Sequence, residues 1–209
     1  MRPNLLAGQQ FPPRPQQLRS KQKRDALLQA ALSLFAERGY EATTIEEIAH
    51  QAGVAVGGFY QHFASKQQLL LVLMDSLLDG VADLSQQCTP LDNPQEVRSA
   101  IERVVRQGLL IDRTYAGAYR AWREATALNG ALRTLHEQIE QWTGQQIEQM
   151  LYVLLQTPGA REDVDIAPLA GIVSVLFWRL ADVPLHESDA VVTSMTTMLY
   201  HTIFHDGAT

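Results

Sequence analysis

The chain is poor in the residues that would commit it to most chemistries. It has one cysteine, Cys88, in 209 residues. No disulfide framework can form, and a reducing cytosol suits this composition. Without a basic neighbour in sequence, Cys88 reads as an inert thiol before it reads as a redox sensor. Long apolar runs are also missing. The longest uncharged one, Ile166–Trp178, is 13 residues, whereas a spanning helix needs about 20. The first residues, MRPNLLAGQQFPPRP, are broken by prolines and lack the apolar core of a secretion signal. A cytoplasmic protein with no membrane partner is the expectation. No alternating strand pattern stands out, and there is no G-x-S-x-G, H-E-x-x-H, phosphate loop or dinucleotide fingerprint. No enzyme activity and no cofactor are expected. His201 and His205 lie four apart, but two ligands make a poor metal site, so none is expected there.

What the chain does have is helical periodicity and an uneven charge. Residues 1–66 carry eight Lys and Arg against five Asp and Glu, a net +3; residues 67–209 carry nine against eighteen, a net −9. A basic first third on an acidic body suits a polyanion partner, although uneven surface charge gives the same numbers. Residues 1–18 are rich in Pro and Gln and are expected to form a flexible basic arm. Nine helices are predicted over 20–38, 45–52, 56–62, 66–87, 95–111, 114–128, 131–155, 166–181 and 189–204. In the first, Leu27, Ala31, Leu34 and Phe35 share a face, and Gly39 ends it. Thr44 caps the second, with Glu47 as its capping-box partner. Ser65 and Gln68 form a similar pair before the fourth, and Ser188 caps the ninth.

The second and third helices are separated by about three residues around Gly53. Short helix, glycine turn, short helix is the helix-turn-helix pattern, and an ordinary helical hairpin is the alternative. The third helix is unusual, since its first turn holds Gly57 and Gly58 and it carries no Lys or Arg. Residues 24–73, with AALSLFAERGY, TTIEEIAHQAGV, GGFYQHF and SKQQL, closely resemble the DNA-binding head of the TetR/AcrR family of bacterial transcriptional regulators. The resemblance covers a quarter of the chain. It implies an all-α fold with a three-helix head, residues 19–66, and a ligand-binding and dimerisation body, residues 67–209.

The resemblance also implies that the third helix enters the major groove of double-stranded operator DNA. Gly57 and Gly58 then let the backbone approach closely. Tyr60 and His62 fall where the family contacts phosphate, Gln61 can read an adenine edge, and Val56 can meet a thymine methyl. Thr43 or Thr44 and Lys66 are the remaining phosphate contacts. Ala55 stands where the family usually has serine or threonine, so a cap is missing at the interface. Phe59 and Phe63 are expected in the core. Arg14, Arg19, Lys21, Lys23 and Arg24 can reach DNA or form a solvated leader.

In the body, Tyr115, Tyr119 and Trp122 recur at i, i+4 and i+7, and Trp142 and Met150 follow. Such a stripe is core or pocket. With the family's small-molecule cavity in view, Tyr115, Tyr119, Trp122, Arg123, Trp142 and Gln146 are the expected ligand-binding residues, for an unidentified, drug-sized, hydrophobic, neutral or cationic effector. Arg120 and Glu124 can pair on the surface. The last two helices are expected to build a homodimer interface through Ile172, Val175, Leu176, Arg179, Val191, Met195, Met198 and Leu199. The expected function is a sequence-specific DNA-binding regulator, a repressor released from its operator by the effector. The alternative is a helical ligand-binding or assembly protein that has lost DNA binding.

Overall fold

The computed structural model describes residues 1–12, 18–180 and 188–204, except for the side chains of Leu18, Pro94, Gln95, Arg179, Leu180 and Ser188. Arg14, His205 and the roles expected of the Arg179 and Ser188 side chains therefore lie outside the described residues. Eight helices are present among them: α1 Leu18–Arg38, α2 Ile45–Gln51, α3 Val56–Tyr60, α4 Lys66–Gln86, α5 Pro94–Leu128, α6 Gly130–Leu155, α7 Ile166–Leu180 and α8 Ser188–Ile203. The only pairing of strand type among them is an isolated bridge between Ala160 and Phe204. No described helix is long and apolar enough to cross a membrane.

The expected count of nine fails at one place. The predicted break after Ile111 does not occur, and α5 runs unbroken for 35 residues. Asp112, Arg113 and Thr114 are polar, but none is a helix breaker, so nothing local stops propagation. The stops at Gly39 and Gly53 are real. Both have left-handed backbones, φ 81° and 69°, which glycine adopts without the penalty of a Cβ.

The chain divides into two compact units that do not follow the expected boundary at residues 66 and 67. One is Met1–Leu78 with Thr114–Gln138, the other Asp79–Arg113 with Ile139–Thr209. The first unit holds α1, α2, α3, the start of α4, the second half of α5 and the start of α6. Its core includes Leu27, Phe35, Ile48, Phe59, Phe63, Leu70 and Trp122, all buried. The pattern read in α1 is the pattern buried. Gly117 is placed by close approach, since a Cβ there would collide with the Leu32 carbonyl and crowd the Ala36 amide of α1.

Residues 1–12, expected as part of a flexible arm, are docked in this unit. Leu5 is buried. The Arg2 guanidinium donates to the Asp75 carboxylate and main-chain carbonyl at 3.0 and 2.8 Å. The buried Gln68 amide donates to the Gln10 carbonyl at 3.1 Å. Apolar Leu5 and a charge partner on α4 outweigh the composition that suggested disorder.

The second unit is a bundle of the end of α4, the first half of α5, the rest of α6, and α7 and α8. Val97, Ile101, Val105, Leu109, Ile147, Leu151, Leu199 and Phe204 fill its centre.

Candidate nucleic-acid interface

Thr44 caps α2 as its spacing with Glu47 requires. Its hydroxyl accepts from the Glu47 amide at 3.2 Å, and the Glu47 carboxylate accepts from the Thr44 amide at 3.0 Å. That backbone hydrogen bond, with help from Arg38 at 2.7 Å, holds the Glu47 carboxyl below its ordinary range. The second predicted box is displaced by one residue. Ser65 accepts from the Gln68 amide at 3.1 Å, but the Gln68 side-chain oxygen accepts from Ala64 rather than Ser65, at 2.7 Å.

Helix α3 has only five residues, and its N-cap, Ala55, makes no side-chain hydrogen bond. Phe59 and Phe63 are buried with ring centroids 5.7 Å apart, which pins the helix from below. Its outer face is Ala55, Val56, Gly57, Tyr60 and Gln61, all exposed, with Tyr60 at 49 %. A Cβ at Gly57 would meet nothing within 4 Å, and one at Gly58 would make an ordinary 3.6 Å contact with Val54. The fold does not need either glycine. Each lowers helix stability by about 1 kcal/mol relative to alanine, so what they supply is a bare outward surface.

Burial and bonds within the protein bear on three of the expected phosphate contacts. His62 is only 5 % exposed, and its Nδ1 has no hydrogen-bond partner among the described residues. Burial, with the Arg24 and Lys23 cations adding, holds this imidazole below its ordinary pKa. Enclosure and the lowered pKa both weaken the ring as a phosphate ligand. Thr43 is buried, and its hydroxyl donates to the Gly39 carbonyl at 2.7 Å. Thr44 remains exposed, although its hydroxyl serves the cap. Lys66 is half-buried. Its ammonium donates to the Tyr40 and Thr43 carbonyls at 2.5 and 2.7 Å and lies 4.2 Å from the Tyr40 ring centroid. Burial lowers its pKa and pushes the Tyr40 phenol up to about 12. Lys66 thus fixes the α1–α2 loop, with one donor left over.

The state of His62 predicts a pH effect. Its native pKa is depressed while an unfolded histidine titrates near about 6.5. Below that pH the unfolded chain binds more protons, so stability is lost as pH falls. His62→Phe should remove this part of the acid slope. Comparing unfolding free energies at pH 7.5 and 5.5 checks it, and an unchanged difference between the two proteins would sink it.

The same loop is held from α5. The Glu124 carboxylate accepts from the Tyr40 and Glu41 amides at 2.6 and 3.3 Å, and Arg120 donates to the Ala36 and Glu37 carbonyls at 2.7 and 3.4 Å. The two side chains approach to 3.6 Å, but their main work is to serve unpaired backbone groups at the end of α1. Spacing alone suggested a surface ion pair. Only the fold brings α1 to them.

The expected ligand residues are divided between the two units. Trp122, 0 % exposed, is core of the first unit, and its indole N–H donates to His136 Nδ1 at 3.3 Å. Tyr119 is buried beside it in that unit, Tyr115 is half-buried and Arg123 is exposed. Trp142 and Gln146 belong to the second unit. None of the six lines the aliphatic cavity of about 100 Å3 that lies within the second unit. Its wall is aliphatic, from residues such as Val105, Leu109, Ile147 and Leu151, with Phe177, Met150 and Met195 and two polar members, Asp112 and Thr143. Asp112 continues the apolar series Ile101, Val105, Leu109 on one helical face. That carboxylate on a core face was the available signal, and it reads equally as a helix end. Met195 and Leu199, expected at a dimer surface, line this cavity instead. Val191 and Leu176 are half-buried, whereas Ile172, Val175 and Met198 are exposed, Val175 at 63 %. Burial raises the Cys88 thiol above its ordinary pKa, against a reactive thiolate.

Fold and site together define an all-helical protein with a helix-turn-helix head. Residues 27–73 match the family described as "Bacterial regulatory proteins, tetR family". The chain is 41 % identical over 85 residues to the HTH-type transcriptional activator FasR of Mycolicibacterium smegmatis, covering 39 % of this chain and 38 % of that protein. It is 43 % identical over 65 residues to the repressor KstR2 of the same organism, covering 31 % and 32 %. The matched regions thus span about a third of these relatives. Among solved structures, the SmeT–triclosan complex superposes with a TM-score of 0.68 at 20 % identity, over 88 % of this chain and 93 % of that one, which establishes a shared fold. The match to the TetR family is thus to the helix-turn-helix head, residues 27–73, and over the rest of the chain the likeness is one of fold.

Proposed function

We propose that this protein is a sequence-specific DNA-binding repressor that acts as a cytoplasmic homodimer and leaves its operator when a small apolar ligand enters the body cavity. The observation that carries the DNA reading is the outer face of α3. It is bare at Gly57 and Gly58, with Tyr60 and Gln61 exposed beside them, at an energetic disadvantage that packing does not require. Tyr60 would meet phosphate, Gln61 an adenine edge and Val56 a thymine methyl. The exposed apolar residues Ile172, Val175 and Met198 supply a surface that a second copy would cover. The relative KstR2 is named a repressor, and SmeT was solved with triclosan, a small molecule. The uncapped Ala55 favours one other reading, a helical assembly protein without DNA binding. Capture and sequencing of genomic DNA separates the two.

Binding should weaken steeply with salt, because phosphate contacts dominate. Gln61→Ala should relax preference at one base position per half-site by about 1–3 kcal/mol. Selection from a randomised duplex library measures this. An unchanged preferred site would remove Gln61 from the reading role. Lys66 is a poor probe of phosphate contact, since its loss also releases the α1–α2 loop.

A further inference from the structure

We propose that the body cavity recognises a cationic apolar ligand, a small hydrophobic amine whose ammonium sits against Asp112. This rests on the reading of the cavity as the effector site and goes further by assigning the ligand's charge. Among the described residues that line the cavity there is no Lys, Arg or His, so none of them offers an anion a counter-charge. Asp112 is 2 % exposed and borders a wall that is otherwise almost all hydrocarbon. In so dry a setting the ionised carboxylate is favoured only beside positive charge, so an ammonium is the ligand it would hold and an anion the ligand it would repel. Asp112 is also engaged within the protein. A carboxylate has about four acceptor sites, so it can serve more than one donor.

The rest of the wall suits an ammonium rather than a neutral oil alone. Phe177 offers an aromatic face, which attracts cations. Met150 and Met195 offer polarisable, adaptable thioethers. Thr143, buried in the same wall, can accept a second N–H. The space of about 100 Å3 is somewhat smaller than a dry cavity of about 150 Å3 that admits benzene. The ligand is therefore of single-ring or short-chain size unless the methionines move.

The test uses the full chain and three probes of nearly one shape: benzylamine, an ammonium at neutral pH, and the neutral benzyl alcohol and toluene. Calorimetric titration should show benzylamine binding about tenfold tighter or more than either neutral probe, as expected for a charge-assisted hydrogen bond. In Asp112→Asn, which keeps the shape and removes the charge, that preference should vanish while toluene still binds. Equal binding of the three by the wild-type protein would overturn the proposal, and this arm does not depend on the variant's folding. So would a preference that survives Asp112→Asn in a folded variant, or tighter binding of benzoate. Operator release is scored separately. Benzylamine that binds through Asp112 without releasing DNA sinks the effector reading and leaves the ligand class standing. Toluene that releases DNA while the amine shows no preference does the reverse.

Discussion

Gly117→Ala should destabilise the protein by about 3 kcal/mol or more, although alanine is the better helix former. Intrinsic propensity favours the change by about 1 kcal/mol. Against it, the new methyl would fall on the Leu32 carbonyl and beside the Ala36 amide. These are backbone atoms of α1, which cannot rotate away as a side-chain tip can. Overpacking a tight contact costs about 1–3 kcal/mol, and more where the backbone must shift. For a chain of this size each kcal/mol lowers the thermal midpoint by about 2–4 °C. Gly144→Ala is the control. It lies inside α6, where an added methyl meets nothing within 4 Å, so propensity acts alone and the change should stabilise by up to about 1 kcal/mol. Calorimetric melts of the two variants should move in opposite directions. A Gly117→Ala protein as stable as the wild type would mean that α1 and this part of α5 can separate without penalty.

Gly39→Ala is expected to cost about 3 kcal/mol, clearly more than Gly53→Ala. Both glycines are left-handed, with φ 81° and 69°, so both substitutions bear the strain of a side chain there, about 1–2 kcal/mol. At Gly53 the added methyl enters open space, whereas at Gly39 it collides with the Glu124 carboxylate. Displacing that carboxylate strips the Tyr40 and Glu41 amides of their acceptor, which adds about 1–3 kcal/mol. The two contributions separate in a double-mutant cycle. In a Glu124→Ala background the penalty for Gly39→Ala should fall to that of Gly53→Ala. An equal penalty with and without Glu124 would show that the carboxylate does not hold the loop.

These two sites mark where reading a sequence stops. Gly39 was legible as a helix stop because its conformation is a local matter. The capping box of Thr44 and Glu47 was legible for the same reason: all its atoms lie within one turn. The partner of Gly39 lies 85 positions away, and no spacing rule pairs Gly39 with Glu124. The aromatic face of α5 was legible as a face but its neighbours were not, because periodicity gives direction and not neighbour. The Trp122 indole meets His136 instead. Lys66 and His62 match family positions, yet the number of hydrogen bonds and the burial at each were fixed by the α1–α2 loop and by the aromatic pair beneath α3. Asp112 is a further case. The role of this charge on an apolar face is set by a cavity that four other helices also line, which no local spacing reports.

Helix α3 has five residues, two of them glycine, and an N-cap without a side-chain bond. Such a segment is marginal by itself, because nucleation is costly and few bonds follow it. Phe59, buried beneath it, is its main anchor. Its outer amides should therefore exchange with deuterium well before those of α1 or α4, through local opening rather than global unfolding. A duplex seated on Gly57 and Gly58 would slow that exchange, and part of the binding free energy would be consumed in ordering the turn. The calorimetric trace of the complex would carry the mark of it: a favourable enthalpy set against an unfavourable entropy.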